Sequence, residues 1–196
     1  MLNYNYEAGL DDAISRLSSL SDASGTLESY DYLGLGTVVR RAHPQPGVEL
    51  SYVKRSGEAD GDAGDQYTGL DRFGRVVDQR WFKSSDGSAL DRLEYSYDTN
   101  GNRLSRVNLL NSDLSETYSY DNLNQLISFT RGSHTRSWDY DAQGNWQSVV
   151  TDGSTQTRTH NAQNEITGIS GAVTPTYGAN GNLTTDEADR QSLVGR

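Results

Sequence analysis

Aromatic and polar residues alternate in three short stretches of the chain. Tyr95-Ser96-Tyr97, Tyr118-Ser119-Tyr120 and Trp138-Asp139-Tyr140 each place two rings two residues apart. That period puts both rings on one face of a β-strand. Asp98, Asp121 and Asp141 follow at once. An aspartate there can accept backbone N–H groups two residues on, making an Asx-turn. Three residues later stand Gly101, Asn124 and Gly144, residue types that accept positive φ. Apolar residues then open a return strand. The unit reads as strand, tight turn, strand.

The same frame recurs in weaker form. Asn161 and Asn164 occupy it in 160–166, Gly178 and Gly181 in 177–183, and Asp71 and Gly74 in 70–76. Tyr30-Asp31-Tyr32-Leu33-Gly34 fits it, and 4–9 is a degenerate start. The turn-opening positions 71, 98, 121, 141, 161 and 178 lie 27, 23, 20, 20 and 17 residues apart. A constant motif at variable spacing predicts hairpins whose far turns differ in length. Those far turns fall at 21–25, 86–88, 111–113, 132–134 and 152–154, and strands of ~5–7 residues lie between, as in a β-meander.

The return strands carry an irregularity. Their apolar residues recur at i, i+3 in the pairs Ile14/Leu17, Leu104/Val107, Leu126/Phe129, Trp146/Val149 and Ile166/Ile169. Alternation would give i, i+2. Either a β-bulge sits in each return strand, or the first apolar residue faces the other way. A helix competes only at 14–20. The predicted fold class is all-β, with tandem antiparallel β-hairpin repeats forming a continuous twisted or spiralling sheet. Degenerate hairpins fill 1–66, with an acidic Gly/Asp loop at 57–66. Regular repeats fill 67–187, and 188–196 is a polar tail or a linker to further repeats.

On these motifs the sequence resembles the YD-repeat (Rhs) family, from Tyr30 to Leu183 and most closely over 93–169. The resemblance implies a strip of hairpins that spirals into a hollow shell, in secreted or cell-surface proteins of bacteria and in animal adhesion molecules. Such shells usually end in a Pro-rich core motif containing Asp-Pro, and this chain has no Asp-Pro dipeptide. The chain therefore reads as an internal slice of a longer protein or as one unit of an assembly. Its open strand edges would then meet other YD repeats, in the same protein or in neighbouring copies.

Composition narrows the function. Only 33% of residues are hydrophobic, yet there are 12 Tyr and 3 Trp, which disordered segments lack. The formal net charge is −10, which argues against nucleic acid or an anionic membrane as partner. There is no cysteine, so disulfides and thiolate metal sites are excluded. The residues after Met1 make no signal peptide, so any export signal lies outside this chain.

The candidate chemistry is sparse. Asp60, Asp62 and Asp65 sit in a Gly-hinged acidic stretch that suits oxygen ligation of calcium, the one cofactor considered. The stretch fails the EF-hand pattern, with Gly64 in the fifth ligand slot and no Glu at the twelfth position; a solvated acidic loop is the alternative. His43, His134 and His160 have no metal spacing. The recurring Asp98, Asp121 and Asp141 share one local context, whereas catalysis needs distinct carboxylates. They are expected to cap turns, and no enzyme activity is expected. Trp81, Trp138 and Trp146 either pack the sheet or form stacking platforms for a glycan. The expectation is a structural wall segment of a shell, filament or tube, with a glycan- or receptor-binding adhesion module as the alternative.

Overall fold

The computed structural model describes residues 1–185, so the tail expected at 188–196 lies outside the described residues. The chain forms two compact units. The first comprises Met1–Asp98 and Arg103–Ser115, and the second comprises Thr99–Asn102 and the chain from Glu116 on.

In the first unit eight strands follow one another, each hydrogen-bonded antiparallel to the next. They are β1 (Asn3–Tyr6), β2 (Leu17–Asp22), β3 (Gly25–Leu33), β4 (Thr37–His43), β5 (Val48–Ser51), β6 (Asp78–Lys83), β7 (Ala89–Tyr97) and β8 (Arg103–Asn108). One helical turn, α1 (Leu10–Ala13), precedes β2. The helix considered at 14–20 is therefore mostly strand, and the helical turn lies just ahead of it. The second unit runs in the same manner through β9 (Glu116–Tyr120), β10 (Leu126–Arg131), β11 (His134–Tyr140), β12 (Trp146–Thr151), β13 (Ser154–His160) and β14 (Ile166–Ile169). A separate ribbon pairs β15 (Thr176–Tyr177) with β16 (Leu183–Thr185).

The i, i+3 rhythm has a single cause. In hairpin after hairpin the second motif residue pairs with the first return residue, and one residue then bulges out. Tyr120 pairs with Leu126, and Ser119 with Ser128, which leaves Ile127 extra. Tyr140 pairs with Trp146, leaving Gln147, and His160 pairs with Ile166, leaving Thr167. The same shift falls in β2, β4, β8 and β16. The bulge brings i and i+3 onto one face, opposite the two motif rings.

Two of the expected pairs are displaced. Opposite Tyr97 and Tyr95 stand Arg103 and Arg106, not Leu104 and Val107. Leu104 is the bulge residue, and the Arg103 guanidinium lies 4.8 Å from the Tyr95 ring centre. In β2 the paired residues are Leu17 and Leu20, opposite Tyr6 and Tyr4, not Ile14 and Leu17. An arginine stem and planar head can cover a tyrosine face as an aliphatic side chain does. Apolar residue type alone therefore misplaced the frame by one residue in β8 and by one i, i+3 step in β2.

Deep apolar burial is rare. Val39, Leu50, Leu70 and Val149 are the buried apolar residues among those described. Glu49, Ser51, Asp78, Arg80, Asn108 and Glu116 are buried beside them or elsewhere along the strands. In the first unit most of their polar atoms are matched, although Arg80 Nε has no hydrogen-bond acceptor among the described residues and lies 3.5 Å from Asp78 Oδ2. Arg80 donates to both Glu58 oxygens at 2.7 and 2.9 Å, to the Val53 carbonyl at 2.8 Å and to Thr68 at 3.0 Å. Arg92 holds Asp78 through two bonds at 3.0 and 2.9 Å, and Arg40 clamps Glu49 through two at 2.7 Å. Such bidentate pairs satisfy carboxylates withdrawn from water.

Candidate functional site

The most repeated feature is the five-residue turn. Asp71 Oδ1 accepts the N–H groups of Phe73 and Arg75, both at 2.9 Å, and its other oxygen accepts Arg75 Nε at 2.6 Å. Asp121 does the same with Leu123, Gln125 and the Gln125 side chain. Asp141 does so with Gln143, Asn145 and the Asn145 side chain. Asn161 accepts from Gln163 and Glu165, but its Nδ2 donates to Glu165 Oε2 at 2.6 Å. The fifth residue was not singled out in the sequence, yet its type follows the first. An aspartate only accepts, so Arg, Gln or Asn returns to it, whereas asparagine also donates and can meet a glutamate.

At the fourth place φ is positive throughout: Gly74 (76°), Gly101 (90°), Asn124 (62°), Gly144 (86°), Asn164 (63°) and Gly181 (75°). In 33–37 the positive-φ residue is Gly34 instead, and Gly36 is not. Asp98 accepts Arg75 Nη1 through its carbonyl at 3.3 Å. The bonds to the turn backbone hold the Asp121 carboxyl below its ordinary value, led by the Gln125 N–H. Asp141 is lowered likewise, led by the Asn145 side chain. A carboxyl held ionised in this way is a poor proton donor near neutral pH.

The second motif ring reaches back one hairpin. Tyr32 Oη donates to the Leu17 carbonyl at 2.6 Å, Tyr97 to Val76 at 2.8 Å and Tyr140 to Leu126 at 2.7 Å. Tyr177 Oη accepts the Ile166 N–H at 3.2 Å. Each target is the first return residue of the preceding hairpin. The bulge disrupts the ladder there, and the hydroxyl supplies a partner. Periodicity identified the ring but carried no signal for the hydroxyl.

The acidic candidates turn to separate partners. Asp60 pairs with Lys54. Asp62 takes Arg72 through its side chain at 3.0 and 2.8 Å and its N–H at 3.1 Å, and this arginine holds its carboxyl down at about 2. Asp65 accepts the Tyr67 N–H at 2.8 Å. Among the described residues no three His, Asp or Glu side chains converge on a point that could hold a metal ion. Gly69 anchors the base of this excursion. Its carbonyl accepts from Val77 and Asp78, and its N–H donates to Tyr52.

The tryptophans do not share a site. Trp81 stacks on His43 with ring centres 6.1 Å apart, in the first unit. Trp138 and Trp146 lie 6.1 Å apart in the second. Trp138 also lines an open groove of about 450 Å³ with Leu126, Phe129, Arg131, His134 and Asp152. Its indole N–H is out of solvent and meets no acceptor among the described residues. At the groove rim His134 Nδ1 lies 3.2 Å from Asp152. His160, which stands where the other motifs have tyrosine, pairs with Ile166 across its turn. No described helix is long and apolar enough to cross a membrane.

No protein-family model matches the sequence, and no curated protein matches it. Solved structures match it in fold. The crystal structure of TcdB2-TccC3-TEV superposes with a TM-score of 0.61 at 18% identity, over 93% of this chain and 11% of that one. The crystal structure of TcdB2-TccC3-Cdc42 gives 0.61 at 18%, over 95% and 11%. The Photorhabdus luminescens Tc holotoxin pore gives 0.59 at 20%, over 93% and 11%. This chain thus spans about a ninth of the length of each match. What it shares with these solved structures is the fold, an all-β array of antiparallel hairpins.

Proposed function

We propose that the chain is a structural wall segment of a longer secreted or cell-surface YD-repeat protein, without catalytic activity. The observation that carries this reading is the tyrosine stitch: in four hairpins, at Tyr32, Tyr97, Tyr140 and Tyr177, the second motif ring makes a hydrogen bond to the backbone of the preceding hairpin. A hairpin built this way is incomplete alone and complete in a row. Among the described residues β1 pairs with β2 alone, and it exposes Tyr4 and Tyr6, an edge that suits further repeats. The fold match to long Tc toxin chains supports the same role, with partners supplied by other repeats or copies. Electron microscopy and sedimentation of the purified chain at rising concentration test it. Edge-to-edge association is expected, and monodisperse 21.6 kDa particles throughout would overturn it.

The Trp138 groove favours a second reading, glycan capture by an adhesion module. A ring beside the polar and charged side chains of Arg131, His134 and Asp152 suits a sugar face and its hydroxyls. Glycan-array binding that Trp138→Ala removes, with the circular dichroism spectrum unchanged, supports it; no array binding removes it.

A further inference from the structure

Five consecutive turns alternate in kind at their fourth place: Gly101, Asn124, Gly144, Asn164, Gly181. The alternation has a contact behind it. Asn124 Oδ1 accepts from the preceding turn, from Asn102 Nδ2 at 2.7 Å and Asn100 Nδ2 at 3.0 Å. Asn164 Oδ1 accepts in the same sense from Asn145 Nδ2 at 2.9 Å. The opposite junction needs room instead. A Cβ on Gly144 would stand 3.2 Å from Gln125 Oε1, and one on Gly181 would stand 3.4 Å from Glu165 Oε1. The structural period is therefore two hairpins: a glycine turn donates forward to an asparagine turn, whose fifth side chain lies against the next glycine.

The last described turn, 178–182, is of the glycine kind. It repeats the Asn-Gly-Asn of Asn100-Gly101-Asn102 as Asn180-Gly181-Asn182. Asn180 and Asn182 are exposed. We infer that these two side chains are the docking end of the ladder, and that they bind the asparagine at the fourth place of a further Asx-x-x-Asn hairpin turn. The inference rests on the wall-segment reading and names what the next element must present. A second copy of this chain meeting the site by its β1 edge does not fit. Its first loop, 7–16, carries Gly9 and Ser15 at positive φ and no such asparagine.

The test uses the full chain, with a synthetic peptide of residues 116–131 as the probe hairpin, closed by a disulfide between cysteines added at its two ends and used only once its own cross-strand nuclear Overhauser contacts show the hairpin formed. Nuclear magnetic resonance of the Asn180 and Asn182 side-chain amides reads its binding. Both amides are expected to shift, and the Asn124→Gly peptide is expected to bind about 30-fold more weakly, the worth of two net hydrogen bonds. Asn180→Ala together with Asn182→Ala in the chain should cause a similar loss and make the two peptides equivalent. Equal binding of both peptides to the unaltered chain would overturn the ladder and leave the wall reading standing. Shifts that follow chain concentration without peptide would overturn it in favour of a second copy. No response to either peptide, from a chain that stays monomeric, would overturn both.

Discussion

The excursion at 52–77 and the turns of the second unit solve one problem in two ways. Both are polar chain with little apolar area to bury. The excursion closes over longer spans and reaches into the sheet: Glu58 meets Arg80 of β6, while Asp62 meets Arg72 and Lys54 meets Asp60 within the excursion itself. The turns at 121–125, 141–145 and 161–165 find theirs four residues away. The first solution depends on the sheet being formed; the second is nearly complete inside five residues. Damage to the excursion should therefore spread through its unit, whereas damage to a turn should stay local.

The largest effect is expected at Gly69. A Cβ there would stand 2.5 Å from the Asp78 carbonyl oxygen and 2.7 Å from Tyr52 Cα, and both are backbone. Gly69→Ala should cost at least about 3 kcal/mol, at the upper end for overpacking. Hydrogen exchange should show lost protection in β5 and β6 with β11 to β13 unchanged. A loss spread equally over both units would break the contrast.

Arg80 comes next. Its side chain is 8% exposed, and it faces Glu58 and Asp78. Arg80→Met leaves those carboxylates without it, at a cost of about 3 kcal/mol in urea unfolding. Arg92 still holds Asp78, so Arg92→Met in the same background should exceed the sum of the single losses. Simple additivity would mean that the ion pairs act independently.

A smaller, local effect tests the turn rule. Asn161→Asp would set two carboxylates where Nδ2 now meets Glu165. A loss of about 1–2 kcal/mol is expected. Glu165→Gln should restore stability in that background, because it recreates the Asp121–Gln125 arrangement. A failure of rescue would show that the fifth residue is not chosen by the first.

The turns were legible because their logic is local. Asp121, Asn124 and Leu126 lie within six residues, and residue type alone predicts an Asx bond, a positive φ and a return strand. The bulges were half legible: the rhythm exposed them, but Arg103 and Arg106 hid one, since arginine over tyrosine does not read as packing. The Tyr140 hydroxyl and the Arg80 network were not legible. Their partners Leu126 and Glu58 are 14 and 22 residues away, and only the register brings them together.

Acid should separate the two regions most finely. Arg72 holds Asp62 at about 2, and turn N–H groups and side chains hold Asp121 and Asp141 below their ordinary values. Groups whose pKa is depressed on folding contribute stability that is present above their unfolded value, about 3.9. It is lost as pH falls through the folded value. The melting temperature should therefore stay level down to about pH 5 and decline below about pH 4. Glu58 is lowered too, by the Arg55 N–H and by Arg80 against its own burial, so the excursion should join the decline. The turn at 161–165 is capped by Asn161, which has no proton to gain. Its amides should keep their exchange protection at a pH where those of 121–125 and 141–145 have lost theirs. Equal loss in all three turns would mean that acid acts through the strands and not through the caps.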